Sequence, residues 1–135
     1  LLLWWGGAQN GYVHVNSKFH VKAPLAMVST WDGDELSLVR EHHQLRAARH
    51  LNMKEQERKL VRALQPLSNH GYSIHGSGLY RVVHAGEKAK SIAANLLEKG
   101  FSIRVFPGGR MLLAPPLDLS SEVFTALGDA LKEIA

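Results

Sequence analysis

The sequence predicts an α+β two-layer sandwich, an antiparallel sheet with helices on one face. Three observations carry this. Two alternating runs, Phe101 to Phe106 and Arg110 to Ala114, flank Pro107-Gly108-Gly109, which can only be a turn. A second pair, Tyr72 to His75 and Leu79 to His84, flanks Gly76-Ser77-Gly78, a turn or bulge. Segments of helical period precede, separate and follow the two pairs. The order is therefore helices, strand, strand, helix, strand, strand, helix.

Each element has a local cause. Leu1 to Trp5 is an apolar run followed by Gly6-Gly7, and Asn10-Gly11 is a tight-turn pair. Tyr12 to Val15 reads as a short strand. Phe19 to Val28, broken by Pro24, reads as a loop with an extended piece. From Glu35 the period becomes helical. Leu38, His42, Leu45 and Arg49 lie near one stripe, with Leu36, Val39, His43 and Ala47 beside it. Leu51-Asn52-Met53 is a break, and Asn52 with Glu55 has capping-box spacing. The next helix is expected to bury Leu60, Val61, Leu64 and Leu67 and to end near Asn69-His70-Gly71. A helix from about Gly86 to Lys99 is expected to bury Ile92, Ala93, Leu96 and Leu97. Lys99-Gly100 suits its last turn and C-cap. Pro115-Pro116 stops the last strand, and Ser120 or Ser121 caps a final helix to Ala135.

The 135 residues suffice for one domain with a modest core, 1–135, of which 1–28 is an apolar arm and loop. With 45% hydrophobic and 21% charged residues the composition is that of a soluble globular protein. No apolar run approaches the roughly 18 residues of a membrane span. Without cysteine there is neither a disulfide framework nor a thiolate metal site. The formal charge of +4 comes from scattered Lys and Arg, which argues against nucleic acid. Leu1 to Trp5 is too short for a signal core and has no basic flank; a start without methionine is that of a processed or incomplete product. An intracellular location is expected, with cytosol and mitochondrial matrix not distinguished. His42, His43 and His50 share a helix without H-E-x-x-H or a carboxylate at ligand spacing, so no metal site is expected. Trp4, Trp5 and Trp31 read as interface or core anchors.

Ser29-Thr30-Trp31-Asp32-Gly33-Asp34 is a hydroxyl-rich loop running into a helix N-terminus. Such a loop either binds an anion or merely caps the helix through Ser29, Thr30 or Asp32.

Three blocks carry a resemblance. L-L-E-K-G, strand, G-G, strand, A-P-P-L and a capped helix, over 96–135, is similar to the end of class III, fold-type I pyridoxal-phosphate aminotransferases. The Ser-Thr-Trp-x-Gly-Asp loop is similar to that of the 4-aminobutyrate and lysine ε-aminotransferases. His75-Gly76-Ser77-Gly78-Leu79 resembles the family's R-G-x-G-L, with histidine for arginine. The resemblance implies an aminotransferase small-domain fold. It implies that Thr30, with Ser29 beside it, reaches the cofactor phosphate of a partner subunit. The stretch that resembles the family's F-G-K-K-x-Q-x-G is Trp4 to Gly11, and the first lysine of the chain is Lys18. No catalytic residue is therefore expected, because glycine cannot form a Schiff base. The family's carboxylate-binding arginine falls on Leu112. Arg110, two residues earlier and about 6–7 Å along the same strand face, is the candidate substrate-binding residue.

The resemblance covers Trp4 to Ala135, the tail end of such an enzyme. It implies an aminotransferase-like C-terminal domain, inactive alone, serving as a structural or accessory subunit of a larger assembly. The alternative is one piece of an active 4-aminobutyrate- or lysine-type transaminase. A binding module unrelated to transamination stands third. No cofactor is expected on the chain alone, with pyridoxal phosphate only at an interface. A protein partner or homo-oligomer is expected, since Leu1 to Trp5 and Trp31 would otherwise expose a large apolar strip.

Overall fold

The computed structural model describes residues 2–5, 11–23 and 34–134. The chain divides into two compact units, 1–50 and 51–135.

In the first unit the apolar strip becomes strand β1 (Leu2–Trp5), paired antiparallel with β2 (Gly11–His14) from Leu2↔His14 to Trp5↔Gly11. A short 3-10 turn, Ser17–Phe19, ends where the stretch read as loop begins, and is capped by the Asn16 side chain. Helix α1 (Glu35–Ala48) starts where the period changes. Its cap is Asp34, not Ser29, Thr30 or Asp32. Asp34 Oδ1 accepts the Leu36 N–H at 3.2 Å, and the Ser37 hydroxyl donates to Oδ2. Loss of that bond on protonation is unfavourable, so the Ser37 hydroxyl holds the Asp34 carboxyl below its ordinary value. The helix buries Ser37 and Glu41, while Leu36, Leu38, Val39 and Leu45 are exposed. Among the described residues, every buried hydrophobic side chain belongs to the second unit.

The second unit opens with α2 (Met53–Ala63), whose N-terminus is held by Asn52 Oδ1 on the Glu55 N–H at 3.2 Å. The single helix expected through Leu67 is two. Pro66 has no N–H to donate, and the chain restarts as α3 (Gln65–Asn69) with the proline in its first turn. Leu60, Leu64 and Leu67 are buried as expected; Val61 lies on the outer side of α2 and is exposed.

The sheet is antiparallel with order β3-β4-β6-β5: β3 (Ser73–Ser77), β4 (Tyr80–His84), β5 (Arg104–Phe106) and β6 (Arg110–Leu113). The expected hairpin is present, with Phe106↔Arg110 closing it around residues 107–109. Its first strand is shorter than the expected run from Phe101. The Gly100 and Phe101 N–H groups are spent on Leu97 and Leu96 at the end of helix α4 (Ala89–Glu98), and pairing begins at Arg104. Phe101 and Ile103 still pack on the core. In α4, Ile92 and Leu96 are buried, but Leu97 faces out. Gly86–Lys88, expected as its first turn, is a 3-10 turn. In the other hairpin only residues 78–79 form the turn; Gly76 and Ser77 pair within β3 without a bulge. Gly76 is there for space, since a Cβ would meet the Tyr80 carbonyl oxygen at 2.1 Å.

Residues that alternate along the strands sort the sheet into two faces. The inner row Ile74–Val83–Met111–Val105 packs against Leu60, Leu67, Ile92 and Leu96 and against helix α5 (Ser121–Ile134) through Phe124, Leu127 and Leu131. All helices of this unit share that core, which makes the predicted two-layer α+β sandwich.

Two polar contacts fix the sheet's ends. Gly109 O accepts from both Ala85 N (2.9 Å) and Gly86 N (3.1 Å), tying the β5-β6 turn to the end of β4. At the opposite end Arg81 turns inward. Its guanidinium donates to Glu57 of α2 at 2.5 Å and to the Gly76 carbonyl at 2.6 Å, and Glu57 also accepts the Gly78 N–H at 2.9 Å.

Candidate functional site

The outer face of the sheet is chemically distinct from the inner one. Cross-strand pairing places His75, Val82, Leu112 and Arg104 in one row. The next row holds Ser73, His84, Arg110 and Phe106. Val82 and Leu112 are half-buried, and the six others are exposed. None of the four strands contains an aspartate or glutamate. This face is therefore basic, with an apolar floor of Val82 and Leu112.

The side chains on it touch one another. The imidazoles of His75 and His84 meet edge to face, with centroids 5.2 Å apart. His75 Nε2 is 2.6 Å from the Ser73 hydroxyl, a second contact on that ring. Arg104 lies 5.9 Å above the Phe106 ring, at the limit of a cation–π contact. Arg110 donates its Nε proton to the Pro107 carbonyl at 3.1 Å, which ties the arginine to its own turn.

Arg110 thus stands where the strand period places it, on the same face as Leu112 and one step along β6. Ser29 and Thr30 lie outside the described residues, as do Gly6 and Gly7. His75, read only as the substitute for a family arginine, turns out to have a ring partner. His84, Arg104 and Phe106 went unnoticed in the sequence. The signal was available in the alternation of β4 and β5, which puts them on the same face as Arg110. The Glu57–Arg81 pair left no such signal.

No lysine projects from this face, so it offers no amine to anchor pyridoxal phosphate. Its arginines and histidines suit an anion. Among the described residues no group of three or more His, Asp or Glu could hold a metal ion, and no helix is long and apolar enough to cross a membrane.

Comparison with known proteins gives the fold a context. No family model matches the sequence, and no curated protein does. Solved aminotransferases match the structure. An ornithine aminotransferase from Toxoplasma gondii superposes with a TM-score of 0.70 over 83% of this chain and 29% of its own, at 20% identity. Ornithine aminotransferase from Plasmodium yoelii gives 0.66 over 83% and 32%, at 19% identity. An adenosylmethionine-8-amino-7-oxononanoate aminotransferase from Methanocaldococcus jannaschii gives 0.59 over 73% and 25%, at 21% identity. This chain has the fold of part of an aminotransferase. It spans about a quarter to a third of the length of the structures it matches.

Proposed function

We propose that this chain is the C-terminal small domain of a class III aminotransferase-type assembly, acting as a structural or accessory subunit rather than as a catalyst on its own. In this reading its outer sheet face forms one wall of a site completed by a pyridoxal-phosphate domain on another chain. The likeness of fold to solved aminotransferases supports the reading. The observation that carries it is the make-up of the outer face: anion-binding side chains over an apolar floor, with no lysine. Such a face can orient a carboxylate by charge-assisted hydrogen bonds through Arg110, but it cannot hold or release the cofactor. When bound, the cofactor supplies the electron sink. The Thr30 loop, with Ser29, reaches that cofactor's phosphate across the interface. The loop's likeness to the 4-aminobutyrate and lysine ε-aminotransferases supports a partner chemistry of that kind. The apolar side chains exposed along α1, Leu36, Leu38, Val39 and Leu45, are further surface for a partner to cover.

The test is a structure of the assembly isolated with its native partner. The expected result is Leu112 and Arg110 facing a bound pyridoxal phosphate held by a lysine of the partner. A native assembly in which this face meets solvent, or a partner without that cofactor, contradicts the reading.

A further inference from the structure

The outer face holds an arrangement that a single carboxylate-orienting arginine does not require. His84 stands directly across the ladder from Arg110, on the neighbouring strand and the same face. Directly opposite residues have Cβ atoms about 4.5–5.5 Å apart, within reach of one small ligand. His84 also carries His75 at ring contact, and His75 is held by Ser73. This end of the face thus presents one permanent cation, two imidazoles and a hydroxyl.

From this juxtaposition we propose that Arg110, His84 and His75 form a proton-linked oxyanion site. A tetrahedral or carboxylate anion sits over Arg110, and its binding takes up a proton on the histidine pair. The proposal rests on the reading of this face as the working face, but it does not need the partner.

The charges around the pair decide the sign. On β3 the neighbours are Ser73 and His75 itself; on β4 Tyr80; on β6 Arg110; and on β5 Arg104, beyond Leu112. The nearest carboxylate along the chain is Glu87, three residues past His84. It lines a groove of about 780 Å³ with Lys90, Phe106 and Gly108, and Phe106 is shared with the outer row. An anion between Arg110 and His84 favours the charged imidazole. Each ring has a nitrogen to donate, and a charged donor makes the stronger hydrogen bond. Binding and protonation therefore help each other, and by linkage the affinity rises as pH falls through the histidine range.

The Glu57–Arg81 clamp on the inner face already uses its charges internally, and the Lys90 groove contains its own carboxylate. Neither has a reason to select an anion.

The experiment uses the full chain and two probes whose charge does not change near neutral pH, sulfate for the tetrahedral anion and lactate for the carboxylate. Imidazole resonances are followed by NMR at constant ionic strength in chloride, at about pH 5.5 and about pH 8.5. Saturable shifts of the His75 and His84 signals are expected with at least one probe. Affinity should be roughly tenfold higher at the lower pH, the gain from one charge-assisted hydrogen bond. Arg110→Gln should abolish binding at both pH values and Arg110→Lys should restore part of it. His84→Gln should remove the pH dependence while leaving weak binding. The probe that saturates names the class, phosphate-like or carboxylate. Shifts that grow linearly and match chloride overturn the proposal, as does binding that Arg110→Gln leaves intact. Those failures leave the partner reading standing, because they concern the isolated chain alone. A native partner without cofactor, with the titration positive, sinks only the partner reading.

Discussion

Replacing Gly109 by alanine should cost several times more than the same change at Gly108, one residue earlier in the same turn. Both glycines have positive φ, +78° and +68°, so each alanine pays about 1–2 kcal/mol for the left-handed backbone. At Gly108 nothing else is near: the closest atom to a new Cβ is the Arg110 side-chain Nε, 4.0 Å away. At Gly109 the Cβ would lie 2.1 Å from the Gly86 carbonyl oxygen and 2.4 Å from its carbon and Cα. Those are backbone atoms, so the turn itself must move. Moving it stretches the two bonds that Gly109 O accepts from Ala85 and Gly86. Overpacking of about 1–3 kcal/mol and about 1 kcal/mol per weakened bond bring the total to roughly 4–7 kcal/mol. That approaches the whole stability of a small domain, about 5–15 kcal/mol. The assay is thermal unfolding by far-UV circular dichroism. Tryptophan fluorescence would report the wrong unit, since Trp4, Trp5 and Trp31 all precede residue 51. Gly108→Ala should lower Tm by about 5–15 °C, whereas Gly109→Ala should leave the second unit unfolded or barely folded at room temperature. Equal effects of the two substitutions would refute the close approach.

Glu57→Ala should destabilise the second unit by about 1–3 kcal/mol, because it leaves the Gly78 N–H without its acceptor and Arg81 without its counter-charge. A urea midpoint unchanged from the parent protein would rule that out. The capping carboxylate of α1 gives a pH test. Its folded value lies below the ordinary 3.8, so its contribution is complete above that value and is lost as pH falls through the lowered one. Ser37→Ala removes the largest cause and should move the Asp34 carboxyl resonance's titration upward; no movement would assign the shift elsewhere. Glu122 at the start of α5 is held low by the Ser120 hydroxyl, and Ser120→Ala should raise its titration in the same way.

Much of this fold was legible. Pro107 fixes one φ, Gly108 and Gly109 accept the positive φ of the turn, and the runs on either side pair across it. Asn52 and Glu55 marked the start of α2 correctly, because capping is a local matter. The errors have several causes. Val61 and Leu97 sit on the margins of apolar stripes, and which margin faces the core depends on what packs against the helix. The start of β5 was misplaced because Gly100 and Phe101 give their N–H groups to the helix before them. In α1 the periodic apolar residues are exposed and Ser37 and Glu41 buried, an outcome set by surroundings and not by period. For the site, the resemblance pointed to Leu112, and the strand period put Arg110 on the same face. The histidine pair did not, because His75 and His84 become neighbours only through the β3-β4 register. Thr30 and Ser29 lie outside the described residues, and their role stands as proposed.

The central claim is that this chain contributes a wall but no anchoring amine to a cofactor site. Incubation of the purified full chain with pyridoxal phosphate, dialysis, borohydride reduction and peptide mapping test it most directly. The account predicts only scattered, substoichiometric labelling of surface lysines and no turnover of an amino donor. One lysine labelled stoichiometrically, with a chromophore that survives dialysis and transfers an amino group, would contradict it.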